Sequence, residues 1–310
     1  MDSYTIVVPD AGVLSCVCGT NDSNLKLIEE HLGVPVFTRG NELSVDGENP
    51  AIREKFRFII DRILDEIKDG DEDGADIITS VLNTCPCKNL AKYSIIVPGS
   101  FRKIYPRTEN QAQYIEMLRR CDVVLCAGPS GSGKTFLAVA EALRLLLSHN
   151  ATKLILTRPV VEAGESLGYL PGDLEQKLNP YLRPLYDAME SILPRETVKR
   201  LLESGAIETA SLAYMRGRTL SRCIVILDEA QNTTREQMKM FLTRIGENSK
   251  IFITGDITQI DLPRNTDSGL AHAIRLLSPI DEIGKMTFAA EDVVRSSLVK
   301  RIVKAYEYEK

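Results

Sequence analysis

The sequence predicts an α/β protein in which a parallel β-sheet is sandwiched by helices, preceded by a small α+β unit. From about residue 101, short apolar segments alternate with helical ones, which is typical of a parallel sheet covered on both faces. One apolar segment leads into a glycine-rich loop and then into an Ala/Leu-rich helix. The strands are predicted at 123–126, 153–157, 224–227, 251–254 and 283–288, and the helices at 112–120, 135–148, 186–204, 234–245 and 268–277.

Residues 1–75 are predicted to form the small unit, in the order β-α-β-β-α. A helix from Asn24 to Leu32 is expected to stop at Gly33, a residue typical of helix C-termini. Pro50 opens a long amphipathic helix with isoleucines and leucines along one face. The strands of this unit are predicted at 13–18, 34–38 and 42–45.

A linker is predicted between the two units. The acidic, glycine-bearing stretch 68–75 is typical of a solvated break. Residues 76–100 are expected to follow as the linker, with a short helix near 77–82. The larger domain then covers residues 101–310.

A glycine-rich loop follows the predicted strand 123–126. It matches the phosphate-binding P-loop pattern at every required position, between a strand and a helix as the motif needs. Its glycines let successive backbone N–H groups point around a polyphosphate, and the helix N-terminus adds positive charge. Lys134 is predicted to reach the β- and γ-phosphates, and the Thr135 hydroxyl to ligate Mg²⁺. The loop residues are Gly128, Pro129, Ser130, Gly131, Ser132, Gly133, Lys134 and Thr135.

Two adjacent carboxylates follow the predicted strand 224–227. Asp228 is expected to hold the Mg²⁺ shell, and Glu229 to orient or deprotonate the attacking water. Such a pair favours hydrolysis over transfer to a small substrate, since it supplies a base for water. The sequence therefore predicts hydrolysis of a nucleoside triphosphate.

Composition is typical of a soluble globular protein, with 310 residues, 44% hydrophobic and 26% charged. No apolar run approaches the ~20 residues that span a bilayer, and the N-terminus shows no secretory signal. Seven cysteines, an odd number, favour free thiols in a reducing cytoplasm. The net charge of −5 gives no global attraction to nucleic acid, so RNA binding would need local patches.

Besides the P-loop, the chain contains seven blocks of sequence that occur in the same order in a known family. They are 105–111, 157–172, 213–218, 227–232, 241–246, 254–263 and 292–295. With them, residues 101–306 resemble the PhoH family, bacterial ATPases whose single P-loop domain is akin to the first motor domain of superfamily 1 helicases. Residues 13–67 are similar to the KH-like unit that precedes this motor, although the Gly-x-x-Gly loop by which KH domains bind RNA is absent near Gly19.

The resemblance implies further site residues. Gln111 matches the glutamine that reads adenine, which favours ATP; alternatively, it caps the helix that follows. Gln259 is similar to the γ-phosphate sensor that couples hydrolysis to strand binding. In related motors the nucleic-acid backbone is contacted from the loops that here carry Arg158, Arg216 and Arg218, with solvated charges as the alternative.

The resemblance also implies an arginine at the γ-phosphate. Arg295 matches the family's late arginine, which in helicases comes from a second motor domain. Here it is expected to act from a neighbouring subunit; alternatively, it lies in its own subunit's site or forms a surface ion pair. Arg244 is the second candidate for the same role. Action between subunits implies a homo-oligomer, such as a hexameric ring.

Taken together, these features predict a cytoplasmic Mg²⁺-dependent ATPase that couples hydrolysis to RNA binding or remodelling, with no membrane contact. RNA and an RNA-processing protein are the implied partners. Two alternatives stay open at this point: an ATP-gated binding or regulatory module, and a P-loop kinase that acts on a small molecule.

Overall fold

A computed structural model describes most of the chain, and the chain divides into two compact units. Residues 1–96 and 102–112 form the first unit, and residues 97–101 and 113–310 form the second. The described residues are 3–8, 10–46, 49–67, 74–83, 93–100, 104, 106–159, 174–263 and 266–293. Within these ranges, no helix combines the length and the apolar character that crossing a membrane requires.

The first unit is an α+β structure built on a three-stranded antiparallel sheet in the order β1-β3-β2. Its strands are β1 (Ser3–Val7), β2 (Val36–Arg39) and β3 (Glu42–Asp46). Its helices are α1 (Ala11–Cys18), α2 (Ser23–Leu32), α3 (Pro50–Ile67) and α4 (Gly74–Asn83). The predicted α2, β2, β3 and α3 are confirmed, and Gly33 ends α2 in the left-handed conformation at φ 72°.

The strand predicted at 13–18 is wrong, because this segment is part of helix α1. Asp10 caps the helix, and its carboxylate accepts the N–H groups of Gly12 at 2.7 Å and Val13 at 3.1 Å. A short apolar run has no periodicity that separates a strand from a helix, so the local cap decides. The strand that does begin the chain, β1, was not predicted.

Helix α4 overlaps the start of the predicted linker, and it packs in the core of the first unit. Ile77, Ile78 and Val81 are buried in the same apolar cluster as Phe56 and Ile60. The short helix near 77–82 is thus confirmed. The predicted domain boundaries, 1–75 for the small unit, 76–100 for the linker and 101–310 for the larger domain, stay predictions.

The second unit contains a six-stranded parallel sheet in the order β6-β5-β7-β8-β4-β9. Its strands are β4 (Val123–Ala127), β5 (Lys153–Thr157), β6 (Ile207–Thr209), β7 (Cys223–Leu227), β8 (Lys250–Gly255) and β9 (Ile283–Thr287). Every residue of the central β7 is buried, as expected for a strand with both faces covered. The predicted α/β fold with a P-loop is confirmed.

Six helices accompany this sheet in the described part of the chain: α5 (Glu109–Arg120), α6 (Lys134–Leu147), α7 (Leu174–Ile192), α8 (Arg195–Glu203), α9 (Arg235–Leu242) and α10 (Gly269–Leu276). The single helix predicted at 186–204 is instead α7 and α8, because Pro194 lies at the N-cap of α8 and interrupts the backbone hydrogen bonds. Strand β6 was also missed; it has three residues, too few for a periodicity.

Candidate nucleotide-binding site

The P-loop joins the end of β4 to the start of α6. Gly131 and Gly133 have φ angles of 87° and 83°, a region where residues with a side chain are strained. Gly133 is the N-cap of α6, and among the described residues no side chain caps that end. The first N–H groups of the helix are therefore directed towards the loop, where an anionic ligand can accept from them.

The lysine of the motif is held across the loop. Lys134 Nζ donates to the Pro129 carbonyl at 3.1 Å, and the Ser132 hydroxyl donates to the same carbonyl at 2.9 Å. The ammonium group is therefore held against the loop itself. From there it would reach the outer phosphates of a nucleotide bound at the loop.

Asp228 links the ends of two neighbouring strands to the start of α6. Its Oδ1 accepts the hydroxyl of Thr135, at the start of α6, at 2.8 Å, and the hydroxyl of Thr254, at the end of β8, also at 2.8 Å. The backbone N–H of Asp228 donates to the carbonyl of Thr157, at the end of β5, at 3.0 Å. The sheet order β5-β7-β8-β4 brings these residues together.

This arrangement fits Mg²⁺. The ion takes hard oxygen ligands, and protein sites commonly supply one or two carboxylates while nucleotide phosphates supply the rest. The Thr135 hydroxyl and the Asp228 carboxylate are such donors, and they already lie within 2.8 Å of each other. These two residues would hold the ion.

Glu229 is fixed at both carboxylate oxygens. Its Oε1 pairs with Arg158 Nη2 at 3.1 Å, and its Oε2 accepts the Gln231 side-chain amide at 2.5 Å. Its backbone is in the left-handed region at φ 53°, an unusual conformation for a residue with a side chain. Strain of this kind is maintained where the surrounding contacts determine the side chain's position.

Gln231 connects Glu229 to the loop that follows β8. Its amide nitrogen also donates to the Gln259 carbonyl at 3.1 Å, and its oxygen accepts the Asp256 N–H at 3.0 Å. The side chain is buried, and a Cβ atom at Gly255 would lie 2.6 Å from its oxygen. Sequence reasoning missed this role, because these partners lie 25 and 28 residues away along the chain.

Asp256 and Gln259 form the far side of the pocket. Gln259 Nε2 donates to Asp256 Oδ2 at 2.8 Å, while Thr258 donates its N–H and its hydroxyl to Oδ1. Burial alone would raise the pKa of Asp256, but the two Thr258 bonds and the charge of Lys134 bring the pKa below its ordinary value. Asp256 therefore stays ionised beside the lysine.

These side chains line a cavity of about 310 Å³. It includes most of the predicted phosphate, metal and base residues, together with two residues of α7 that the motifs did not indicate. The lining is Ser130, Gly131, Gly133, Lys134, Thr135, Phe136, Pro184, Ala188, Asp228, Glu229, Asp256 and Gln259.

Gln111 makes the contacts of a helix cap. It is buried, its Oε1 accepts the Arg107 N–H at 2.7 Å, and its own N–H donates to the Thr108 hydroxyl at 3.2 Å. This geometry corresponds to the alternative interpretation of Gln111. Adenine reading by its side chain stays a prediction.

The arginines predicted from the resemblance differ in their surroundings. Arg218 forms a two-nitrogen ion pair with Glu208, at 2.7 and 3.3 Å, which holds the pKa of that carboxyl below its usual value. Arg216 is exposed at the end of a 3₁₀ turn. Arg244, which follows α9, donates through Nε to the Met240 carbonyl of that helix at 3.1 Å, and Arg295 lies outside the described residues.

A model of the PhoH-like protein family matches residues 103–307. The chain belongs to the PhoH-like family. The family resemblance found in the sequence is thereby confirmed, and the match contains the P-loop, both carboxylates and Gln259.

Individual relatives extend the PhoH-like similarity to nearly the whole chain. A PhoH-like protein of Bacillus subtilis (strain 168) is 46% identical over 297 residues, which cover 93% of this chain and 92% of the relative. A PhoH-like protein of Mycobacterium leprae (strain TN) is 44% identical, covering 98% and 88%. Among solved structures, the large terminase from a thermophilic bacteriophage in complex with ADP has 14% identity and a TM-score of 0.39, covering 63% and 48% of the two chains.

Proposed function

We propose that this protein is a Mg²⁺-dependent ATPase. The observation that carries the proposal is the cavity that contains Lys134, the Thr135–Asp228 pair and Glu229 together. Bound Mg²⁺ would neutralise charge on the β- and γ-phosphates. The P-loop N–H groups and Lys134 would hold the triphosphate and stabilise the charge on the transferred group.

Glu229 is the base in this proposal. It accepts a proton from a water molecule whose oxygen forms a bond to the γ-phosphorus. The bond between that phosphorus and the β–γ bridging oxygen breaks, and ADP and inorganic phosphate leave. The presence of a carboxylate directly after the metal-binding aspartate supports water as the acceptor, as opposed to a small-molecule hydroxyl.

The test measures phosphate release from labelled ATP by the full chain, with and without Mg²⁺ and RNA, for the wild type and for Lys134→Ala. Free phosphate that depends on Mg²⁺ and on Lys134 is the expected result. A phosphorylated small molecule among the products would indicate a kinase. Nucleotide binding without any turnover would indicate an ATP-gated binding module.

Coupling to RNA is the second part of the proposal, supported by the family resemblance and by the exposed Arg216. Arg216→Ala is expected to weaken RNA binding and to flatten its salt dependence. Arg218→Ala is the matched comparison and is expected to do less, because Glu208 already neutralises that guanidinium. Unchanged RNA binding in a variant that carries both Arg216→Ala and Arg218→Ala would remove both arginines from the proposal.

We also propose a cytoplasmic homo-oligomer, such as a hexameric ring, in which Arg295 of one subunit completes the site of the next. An RNA-processing protein is the proposed partner. Light scattering with and without a non-hydrolysable ATP analogue tests the assembly. A strict monomer with full ATPase activity would contradict it.

A further inference from the structure

Arg158 and Glu229 lie in the loops that follow two neighbouring strands, β5 and β7, at the same edge of the sheet. Thr157, the last residue of β5, pairs in register with Leu227, the last residue of β7. The residue that follows β7, Asp228, donates its N–H to the Thr157 carbonyl. The residues after this point, Arg158 and Glu229, therefore begin their loops side by side.

Arg158 contacts the proposed base directly, and its own position is determined as well. Nη2 lies 3.1 Å from Glu229 Oε1, while Nη1 donates to the Tyr181 carbonyl of α7 at 2.9 Å. Helix α7 also contributes Pro184 and Ala188 to the nucleotide cavity. One planar guanidinium thus joins the base to the helix that forms the cavity wall.

The two contacts on Glu229 act from different sides. Gln231 is 1% exposed and is anchored by the loop after β8, whereas Arg158 approaches from β5. A carboxylate held at one oxygen can rotate about that bond, and a second contact at the other oxygen prevents this rotation. Correct orientation of a base towards water accounts for a large part of its effect on rate.

A role in stability is the alternative explanation. The side chains are 23% and 35% exposed, and partly exposed ion pairs contribute little to the free energy of unfolding. The contacts of Arg158 instead indicate that its main effect is on the orientation of the Glu229 carboxylate.

We propose that Arg158 is a positioning residue for water attack, because it holds Glu229 Oε1 while it is itself bonded to the Tyr181 carbonyl of α7. The inference rests on the proposed ATPase function. It assigns to Arg158 a role at the base, in place of the RNA contact that the family resemblance implied.

The test is RNA-free steady-state ATP hydrolysis by the full chain, together with the dissociation constant of a fluorescent ATP analogue. Arg158→Ala is expected to lower kcat roughly 10- to 100-fold while the analogue binds within about twofold of wild type. The kcat of Arg158→Lys is expected to lie between those of wild type and Arg158→Ala. An ammonium group can pair with Glu229, but it lacks the planar guanidinium that also donates to the Tyr181 carbonyl. Melting temperatures check that each variant is folded.

A double-mutant cycle separates positioning from a general structural effect. In a Glu229→Gln background, Arg158→Ala is expected to change kcat by less than about twofold, because the group that it positions is already gone. Arg195→Ala is the matched control, since Arg195 forms a 3.0 Å pair with Glu190 outside the nucleotide cavity. That variant is expected to retain the wild-type kcat.

Three outcomes would overturn the inference: an Arg158→Ala enzyme with wild-type kcat, an equal loss of kcat in the Glu229→Gln background, or a loss confined to affinity for the ATP analogue. Failure of the proposed function is recognised separately. If the wild type does not hydrolyse ATP, or if Glu229→Gln alone leaves kcat unchanged, the ATPase assignment and the role of Arg158 both fall.

Discussion

The two halves of the candidate site are built in different ways. The phosphate half is one continuous stretch of chain, the loop from β4 to α6. There the donors that would bind phosphate are the backbone N–H groups, set by the loop conformation, and the Lys134 side chain. The base half is assembled from side chains of separate elements, in which Glu229 is held by Arg158 and Gln231. A contiguous half can be recognised from a motif, whereas an assembled half depends on the packing of the whole sheet.

This comparison predicts that substitutions in the two halves affect different kinetic constants. Changes in the phosphate half should weaken nucleotide binding along with turnover. Changes in the base half should lower kcat and leave nucleotide binding almost intact. Three substitutions test this division, beginning with the largest expected effect, and a fourth tests the charge at the far side of the pocket.

Glu229→Gln is expected to lower kcat by roughly 10²- to 10⁴-fold, because the amide cannot accept the proton of the attacking water. ATP affinity should change little, since the P-loop is untouched. Phosphate release and binding of a fluorescent ATP analogue measure the two quantities. Equal losses in both would break the division between the halves.

Lys134→Ala is expected to lower kcat/KM by about 10²- to 10³-fold, because it removes a donor to the triphosphate. In contrast to Glu229→Gln, it should also raise the dissociation constant for ATP. Equilibrium binding in the presence of Mg²⁺ checks this. Normal ATP affinity in this variant would show that the lysine acts at the transition state alone.

Gln231→Leu is expected to lower kcat by about tenfold, because one side of the clamp on Glu229 is lost. It should also lower the free energy of unfolding by about 1–3 kcal/mol, since the Asp256 N–H loses its buried acceptor. Urea unfolding and steady-state kinetics give the two values. A stability loss with unchanged kcat would make Gln231 a purely structural residue.

Asp256→Asn is expected to have the smallest effect, and one that depends on pH. The pKa of Asp256 is lowered in the folded state, so its ionised form adds stability above the ordinary value of 3.8, and this contribution is lost as pH falls through the lower folded value. The difference in unfolding free energy between wild type and variant should therefore be larger at neutral pH than near pH 3. A difference that is constant with pH would contradict this.

The errors in the sequence-based prediction have two different causes. The segment 13–18 was predicted as a strand and is a helix, because the Asp10 cap outweighs a composition that suits either structure. Strand β6 was missed because its pairing with β5, and not its own three residues, defines it. The first error overlooked a local cap that the sequence contains, whereas the second depends on a contact with a distant strand.

The amino-acid sequence alone determined the parallel α/β sheet, the P-loop and the adjacent carboxylates of this PhoH-like protein. Each of these is encoded by neighbouring residues, through apolar periodicity, glycine positions or a strand end. The tertiary structure decided which side chains meet Glu229, and it brought Arg158, Gln231 and α7 to the same cavity. The physical reason is the strand order, because parallel strands that are distant in the chain end at one edge of the sheet.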